Sequence, residues 1–278
     1  MSFSPHPALC CPLDGMALAM QNGSLCCDNR HSFDVARQGY VNLLGAKDKR
    51  SRDPGDSKAM IAARHRFLEL GYYQPVADRL GDLLLPYISE HALIVDAGCG
   101  EGYYLQQFRE RILDACLPEP HMLGFDISKW AMQTAGRRFP ATWLVASNRN
   151  IPLADASADV VMDMFGFADF AAFACVLKPA GLLLRVQAGD RHLLELRELI
   201  YPEIKTRQQA AADPAAFTLI ERVQVTYELP CLKREAIGDL LLMTPHFFRA
   251  SAGGRERVAA LHELTLGVDV WIDILQKT

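Results

Sequence analysis

Hydrophobic and polar positions change period several times along this chain, and each change marks an element. Leu93-Ile94-Val95 is a short apolar run that ends in Asp96 and is followed by glycines at 98, 100 and 102. That pattern predicts a buried strand delivering a tight, bare turn into a helix, here Tyr103 to Arg111. Met122 to Asp126 reads as a second strand, Ile127-Ser128-Lys129 opens a helix reaching Phe139, and Thr142 to Ala146 reads as a third strand. A fourth strand follows Asp159-Val160-Val161 to about Met164, and Lys178-Pro179-Ala180-Gly181 turns into a fifth. Upstream, Met60 to Leu70 and Val76 to Leu85 carry helical periodicity on either side of Gly71-Tyr72-Tyr73-Gln74-Pro75, the first behind the cap residue Ser57. Downstream, Phe217 to Leu229 and Val268 to Gln276 read as long strands with a helical segment, Ala236 to Met243, between them. Strands alternating with helices imply a doubly wound parallel sheet whose ligands lie beyond the carboxyl ends of the strands.

The glycine turn is the first candidate site. A Cβ there would block close approach of a ligand, and such turns often need positive φ. A dinucleotide fingerprint reads G-x-G-x-x-G, whereas Asp96, Gly98, Gly100 and Gly102 spell D-x-G-x-G-x-G. Asp126 ends the second strand 24 residues after Gly102, near the spacing at which an acid accepts both ribose hydroxyls in nucleotide-binding βαβ units. Asp163, at the end of the fourth strand, is a candidate substrate contact or proton acceptor, and burial or a helix cap explains it equally well. His192 reads either as a surface helix residue or as a polar contact at the cofactor site. Tyr73 is either core filler or an aromatic lid over the cofactor.

Composition adds two features. The chain has 278 residues, half of them hydrophobic, enough for one large core plus a small accessory module. No apolar run approaches the roughly 20 residues of a membrane span, so a soluble intracellular protein is expected. Eight cysteines fall as the pairs Cys10-Cys11 and Cys26-Cys27 and four scattered singles, which is no disulfide framework. Cys11, Asp14, Cys27 and His31 occupy two short turns separated by a hairpin-sized interval, the layout of a zinc ribbon. Cys10 and Cys26 are alternative ligands, and packing without metal is the alternative to both. The net charge of -4 gives no global attraction to a polyanion. Between Lys47 and Arg66, however, seven Lys or Arg face three Asp, a local charge of +4. Lys47, Lys49, Arg50 and Arg52 are therefore candidate contacts to nucleic-acid phosphates, weighed against an inert solvated loop.

Several stretches together resemble the 23S rRNA (guanine-N1)-methyltransferases of the RlmA type. They are the Cys-Pro-x-x turn, His31-Ser32-Phe33-Asp34, Gln38-Gly39-Tyr40-Val41-Asn42-Leu43-Leu44, Lys49-Arg50-Ser51-Arg52-Asp53-Pro54-Gly55-Asp56-Ser57, Asp96 to Tyr104, and Arg191-His192-Leu193. The resemblance implies a Rossmann-like, seven-stranded class I methyltransferase fold behind a zinc-ribbon-like module. Residues 1–36 would be that module, 37–88 a basic connector with helices, and 89–278 the S-adenosylmethionine-dependent domain. It assigns zinc to Cys11, Asp14, Cys27 and His31, with Asp14 replacing a cysteine. It places Tyr73, Glu101, Gly102 and His192 at the cofactor, and Ser147 or Asn148 at the adenine amino group, where turn chemistry is the rival role. It further implies a homodimer whose zinc modules help grip a hairpin of the large ribosomal RNA. A cytoplasmic location is expected from the absence of membrane and export segments, and because guanine N1 lies on the Watson–Crick edge the base must be unpaired or extruded, with Phe165 or Phe167 as rings that could stack on it. Two rivals share much of this pattern: a methyltransferase of a small metabolite such as a quinone, and a non-catalytic RNA-binding protein with a retained cofactor pocket.

Overall fold

The computed structural model describes residues 3–45, 51, 53–204 and 215–278. The first elements are three short antiparallel strands, β1 (Ala19–Gln21), β2 (Ser24–Cys26) and β3 (Ser32–Asp34). Asn22 and Gly23 join β1 to β2 with φ of 49° and 86°, the double positive-φ turn that Asn-Gly favours. Next come β4 (Tyr40–Asn42), α1 (Lys58–Glu69) and α2 (Gln74–Leu84). The alternating core follows as β5 (Leu93–Ala97), α3 (Tyr103–Asp114), β6 (His121–Asp126), α4 (Lys129–Ala135), β7 (Thr142–Val145), β8 (Ala158–Met164), α5 (Phe170–Val176) and β9 (Leu177–Ala188). The rest is α6 (Leu194–Ile200), β10 (Phe217–Glu228), β11 (Leu232–Lys233), α7 (Arg234–Leu242), α8 (His246–Arg249), α9 (Ala252–Ala259), β12 (Glu263–Leu264) and β13 (Gly267–Lys277).

The main sheet runs β10-β13-β9-β8-β5-β6-β7-β4. The strands from β9 to β4 are parallel, while β13 is antiparallel to both of its neighbours, β9 and β10. The seven expected strands are all present, and an eighth joins them: β4, from the connector, pairs in parallel with β7 through Tyr40↔Trp143, Val41↔Leu144 and Asn42↔Val145. Three residues carry no readable period, so the edge of β7 dictates this strand rather than its own sequence. The helix expected to reach Phe139 stops at Ala135, because Gly136 caps it and its bare Cα packs against the Gln38 carbonyl, where a methyl would collide.

Alternate residues of each strand enter two cores, as the strand period requires. In β5, Ile94 joins a core with α1 to α4 and α7, while Leu93, Val95 and Ala97 join one on the opposite face. That second core also contains Leu9, Leu18 and Leu25 of the N-terminal module, all fully buried or nearly so, beside Phe173 and Val176 of α5. Cys10 N donates to Pro152 O and Ala154 N to Ala8 O, which adds backbone bonds across the same seam. The module is thus a layer of the main fold. Three buried leucines supply roughly 1.5–3 kcal/mol each, independent of any metal.

Trp143 is a fully buried side chain of β7, and its ring lies under both Gly102 and Gly124. Gly124→Ala drives a methyl into that ring and is expected to lower stability by about 1–3 kcal/mol in urea unfolding. Gly238→Ala, in an exposed stretch of α7 with nothing within 4 Å, is expected to raise it by about 0.5–1 kcal/mol.

Candidate cofactor and metal sites

The glycine loop leaves β5 with φ of 76°, 57° and 84° at Gly98, Gly100 and Gly102. Gly98 N and Cys99 N both donate to Phe125 O, at 2.8 and 3.0 Å, which ties the loop to β6. A Cβ on Gly102 would stand 2.8 Å from the Trp143 ring. Asp126 closes β6 at the carboxyl edge, as expected for a ribose acceptor. Its Oδ2 accepts from Gly100 N at 3.0 Å and its Oδ1 from Ser128 N at 2.8 Å, so it also clamps the loop in place. Burial raises its pKa, and the two backbone donors and Arg64 oppose that rise.

Two further carboxylates lie beside it. Asp96 is fully buried, and neither of its oxygens has a hydrogen-bond partner among the described residues. Burial, then the charges of Asp163 and Asp126, push its pKa well above the ordinary carboxylate range. Asp163 is 1% exposed with Arg185 Nε 4.0 Å away, and burial pushes its pKa up to about 6 against the guanidinium's pull. Buried acids without partners are expensive unless a cation or proton reaches them. The donor set therefore fits a ligand carrying positive charge on a nucleoside, which is the chemistry of S-adenosylmethionine.

Tyr73 and His192, 119 residues apart, meet with Tyr73 Oη 3.2 Å from His192 Nε2. Asp269 N donates to His192 Nδ1 at 3.3 Å, so in the neutral ring Nε2 bears the proton and donates to the tyrosine. Phe165 stacks on the imidazole at 5.9 Å and 22° and meets Tyr73 edge-on at 6.2 Å. It does so from a left-handed backbone, φ 57°, that costs a non-glycine residue about 1–2 kcal/mol. Among the residues expected to stack on the base, Phe165 is thus engaged by His192, while Phe167 is 88% exposed on the same loop.

The Glu101 side chain sits in a network with Arg138 and His65. Arg138 donates from Nε to Glu101 O at 2.7 Å and to Oε2 at 2.8 Å, and His65 Nδ1 is 3.3 Å from the same oxygen. Hydrogen bonding to Glu101 raises the His65 pKa. This network joins α1, the loop and the segment after α4, and leaves Glu101 Oε1 buried without a hydrogen-bond partner among the described residues. Ser147 Oγ accepts from Arg149 N within its own turn, and Asn148 Nδ2 donates to Phe167 O at 2.9 Å across to the loop after β8. Lys47, Lys49, Arg50 and Arg52 lie outside the described residues. Of the remaining basic tract, Arg64 pairs with Asp56 at 2.8 Å and Arg66 with Asp239 at 2.5 Å, so part of the local charge is neutralised within the fold.

The four metal-turn residues converge. His31 Nδ1 is 3.4 Å from both Cys11 Sγ and Cys27 Sγ and 3.0 Å from Asp14 Oδ2, and Cys27 Sγ is 3.5 Å from that oxygen. All four ligand atoms lie within 4.8 Å of one another. Tetrahedral zinc with bonds of about 2.0–2.3 Å sets its ligands roughly 3.3–3.8 Å apart, so the cluster fits the ion. Asn29 donates to Asp14 at 2.9 Å and is the main reason that carboxyl stays well below its usual range, anionic as a ligand must be. Burial pushes the Cys11 thiol up to about 11, so metal binding must release its proton. Cys10 and Cys26 stand outside the cluster.

Purified full-length protein is expected to hold one zinc per chain by metal analysis, with less than a tenth of an equivalent the contrary result. Stripping the metal is expected to raise hydrogen exchange around residues 10–31 and leave the rest protected, because Leu9, Leu18 and Leu25 remain in the second core.

A zinc-ribbon family profile described as the RlmA N-terminal region matches residues 9–52, and a methyltransferase-domain profile matches residues 94–181. The 23S rRNA (guanine(748)-N(1))-methyltransferase of Streptomyces fradiae is 31% identical over 273 residues, covering 93% of each chain. The YxjB protein of Bacillus subtilis (strain 168), provisionally named a 23S rRNA (guanine-N(1)-)-methyltransferase, is 30% identical over 275 residues, covering 95% of this chain and 94% of the relative. A protein of Micromonospora griseorubida under the same provisional name is 36% identical over 210 residues, 68% of each. With a donor set suited to a cationic nucleoside and a cluster shaped for zinc, this chain belongs to the 23S rRNA (guanine-N1)-methyltransferase family, as a class I S-adenosylmethionine-dependent methyltransferase with an N-terminal zinc ribbon.

Proposed function

We propose that this protein transfers a methyl group from S-adenosylmethionine to N1 of a guanine in a hairpin of 23S rRNA, acting as a cytoplasmic homodimer. The observation that carries the reading is the conjunction of a zinc cluster and a cofactor crevice in one fold, matched over 93% of the chain by a relative named for that reaction. A small-metabolite methyltransferase would share the crevice but has no use for the zinc layer. A decayed, non-catalytic protein would not be expected to keep Asp96, Asp126 and the three loop glycines together. The homodimer rests on the family resemblance and the cytoplasmic location on the sequence pattern, and no helix among the described residues is long and apolar enough to cross a membrane.

In this reading the cofactor's ribose hydroxyls bind Asp126, its aminoacyl part lies on Gly98 to Gly102, and Tyr73 and His192 border its reactive end. Ser147 and Asn148 stand beside the adenine. When bound, the cofactor supplies an electrophilic methyl on a sulfonium, so the protein's task is to position, desolvate and manage one proton. Guanine N1 is protonated and sits on the Watson–Crick edge, so the base must leave its stack. Asp163 is the candidate acceptor for the N1 proton: it is buried at the carboxyl end of β8, and a pKa raised to about 6 leaves it ionised yet basic at neutral pH, as a general base requires. Phe167, exposed on the adjoining loop, supplies a stacking face for the extruded base.

Because its pKa of about 6 is the protonated-to-ionised midpoint, single-turnover methylation should rise as pH increases through about 6 and then level. Asp163→Asn should abolish that limb and slow the methyl-transfer step by about 10²–10⁴-fold at saturating cofactor. An unaltered pH profile in this variant would exclude Asp163 as the acceptor. Neutralising Arg50 and Arg52 should weaken RNA binding and reduce the slope of log affinity against log salt by about one per charge removed, without moving cofactor affinity.

A further inference from the structure

The Asp53-Pro54-Gly55-Asp56-Ser57 block, expected to belong to an RNA-binding connector, lies against the cofactor crevice. Trp130 Nε1 donates to Asp53 Oδ2 at 2.9 Å, Ser128 Oγ donates to the Asp56 carbonyl at 2.7 Å, and Ser57 caps α1 by accepting from Met60 N. The block therefore braces the β6–α4 corner, where Asp126 sits, against α1. Arg64 projects from α1 beside this brace. Its Nη2 is held 2.8 Å from Asp56 Oδ2 and donates to Met243 O at 3.1 Å. Its Nη1 lies over the glycine loop, 3.0 Å from the place a Cβ of Gly100 would occupy. The side chain is 26% exposed, so it is not sealed from a ligand.

The charges around that edge select what it can bind. Asp96, Asp126 and Asp163 line the crevice, and all three favour the sulfonium and ammonium groups of the cofactor. They repel its carboxylate. Arg138, a second cation at the loop, has a side chain only 7% exposed and is committed to Glu101 and Glu69, and His65 faces the same Glu101 carboxylate. A guanidinium presents donors on two edges, so pairing one edge with Asp56 does not consume the other. We propose that Arg64 receives the α-carboxylate of S-adenosylmethionine through Nη1 above Gly100, while Asp56 and the Met243 carbonyl hold the guanidinium in place. This rests on the cofactor reading given above.

Calorimetric titration of the full chain with S-adenosylmethionine and with decarboxylated S-adenosylmethionine tests the assignment. The second ligand keeps the ribose, sulfonium and amine and lacks only the carboxylate. Wild type should prefer the carboxylated ligand by about tenfold to a hundredfold, the worth of a charge-assisted hydrogen bond. Arg64→Met should collapse that preference to nearly one by weakening S-adenosylmethionine alone, and Arg64→Lys should retain part of it. Equal weakening of both ligands in Arg64→Met would make Arg64 a structural brace and overturn the proposal. A wild-type protein that binds the two ligands equally would overturn it whether or not the methionine variant folds. A wild-type protein that binds neither would instead overturn the cofactor reading itself.

Discussion

The turn from Gly98 to Gly102 has almost no side chains with which to hold itself, yet a cofactor must lie against its bare backbone. Its position comes from what surrounds it. The Trp143 ring supports Gly102 from below, Asp126 accepts the Gly100 N–H, the Phe125 carbonyl takes two loop donors, and Arg138 grips the Glu101 carbonyl. These groups come from β6, β7 and the segment after α4, so the loop is correct only when the parallel sheet is in register. Much of the rest of the fold serves that register, including the glycine at 124 that makes room for the tryptophan.

Electrostatics impose the second demand. Three acids stand at the carboxyl edge of β5, β6 and β8, and Asp96 lacks any hydrogen-bond partner among the described residues. Such a cluster destabilises the folded chain while it is empty and ionised, and a cationic ligand relieves it. The left-handed Phe165 beside Tyr73 and His192 is a second local cost at the same place. Strain and unmet charge concentrated where strands end are what a preorganised site looks like in energetic terms.

The N-terminal module shows how a metal site and a core share the work of folding. Zinc can organise the two turns that carry Cys11, Asp14, Cys27 and His31. Leu9, Leu18 and Leu25 meanwhile seal the face of the sheet opposite α1 to α4. The connector then returns the chain to the sheet as β4 and crosses the cofactor corner as the brace at Asp53 to Ser57. A segment of basic composition thus reaches the cofactor site through Asp56 and Arg64.

Periodicity and motif spacing alone determined the parallel core, the order of its strands along the chain, the glycine turn, Asp126 at its strand end and the two Cys-bearing turns, while the choice of Cys11 and Cys27 over Cys10 and Cys26 needed the family resemblance and the folded cluster. These are legible because each is written in contiguous residues: an apolar run, a glycine spacing, a pair of Cys-bearing turns. Tertiary structure alone decided the rest. It made Tyr40–Asn42 an eighth strand, merged the zinc module with the second core, paired Glu101 with Arg138, and paired Arg64 and Arg66 with Asp56 and Asp239. It also joined Tyr73 to His192, and placed Arg64 over Gly100 from 36 positions away. A pairing between distant side chains leaves no period and no spacing in the sequence. It exists only once the sheet has fixed where each strand ends.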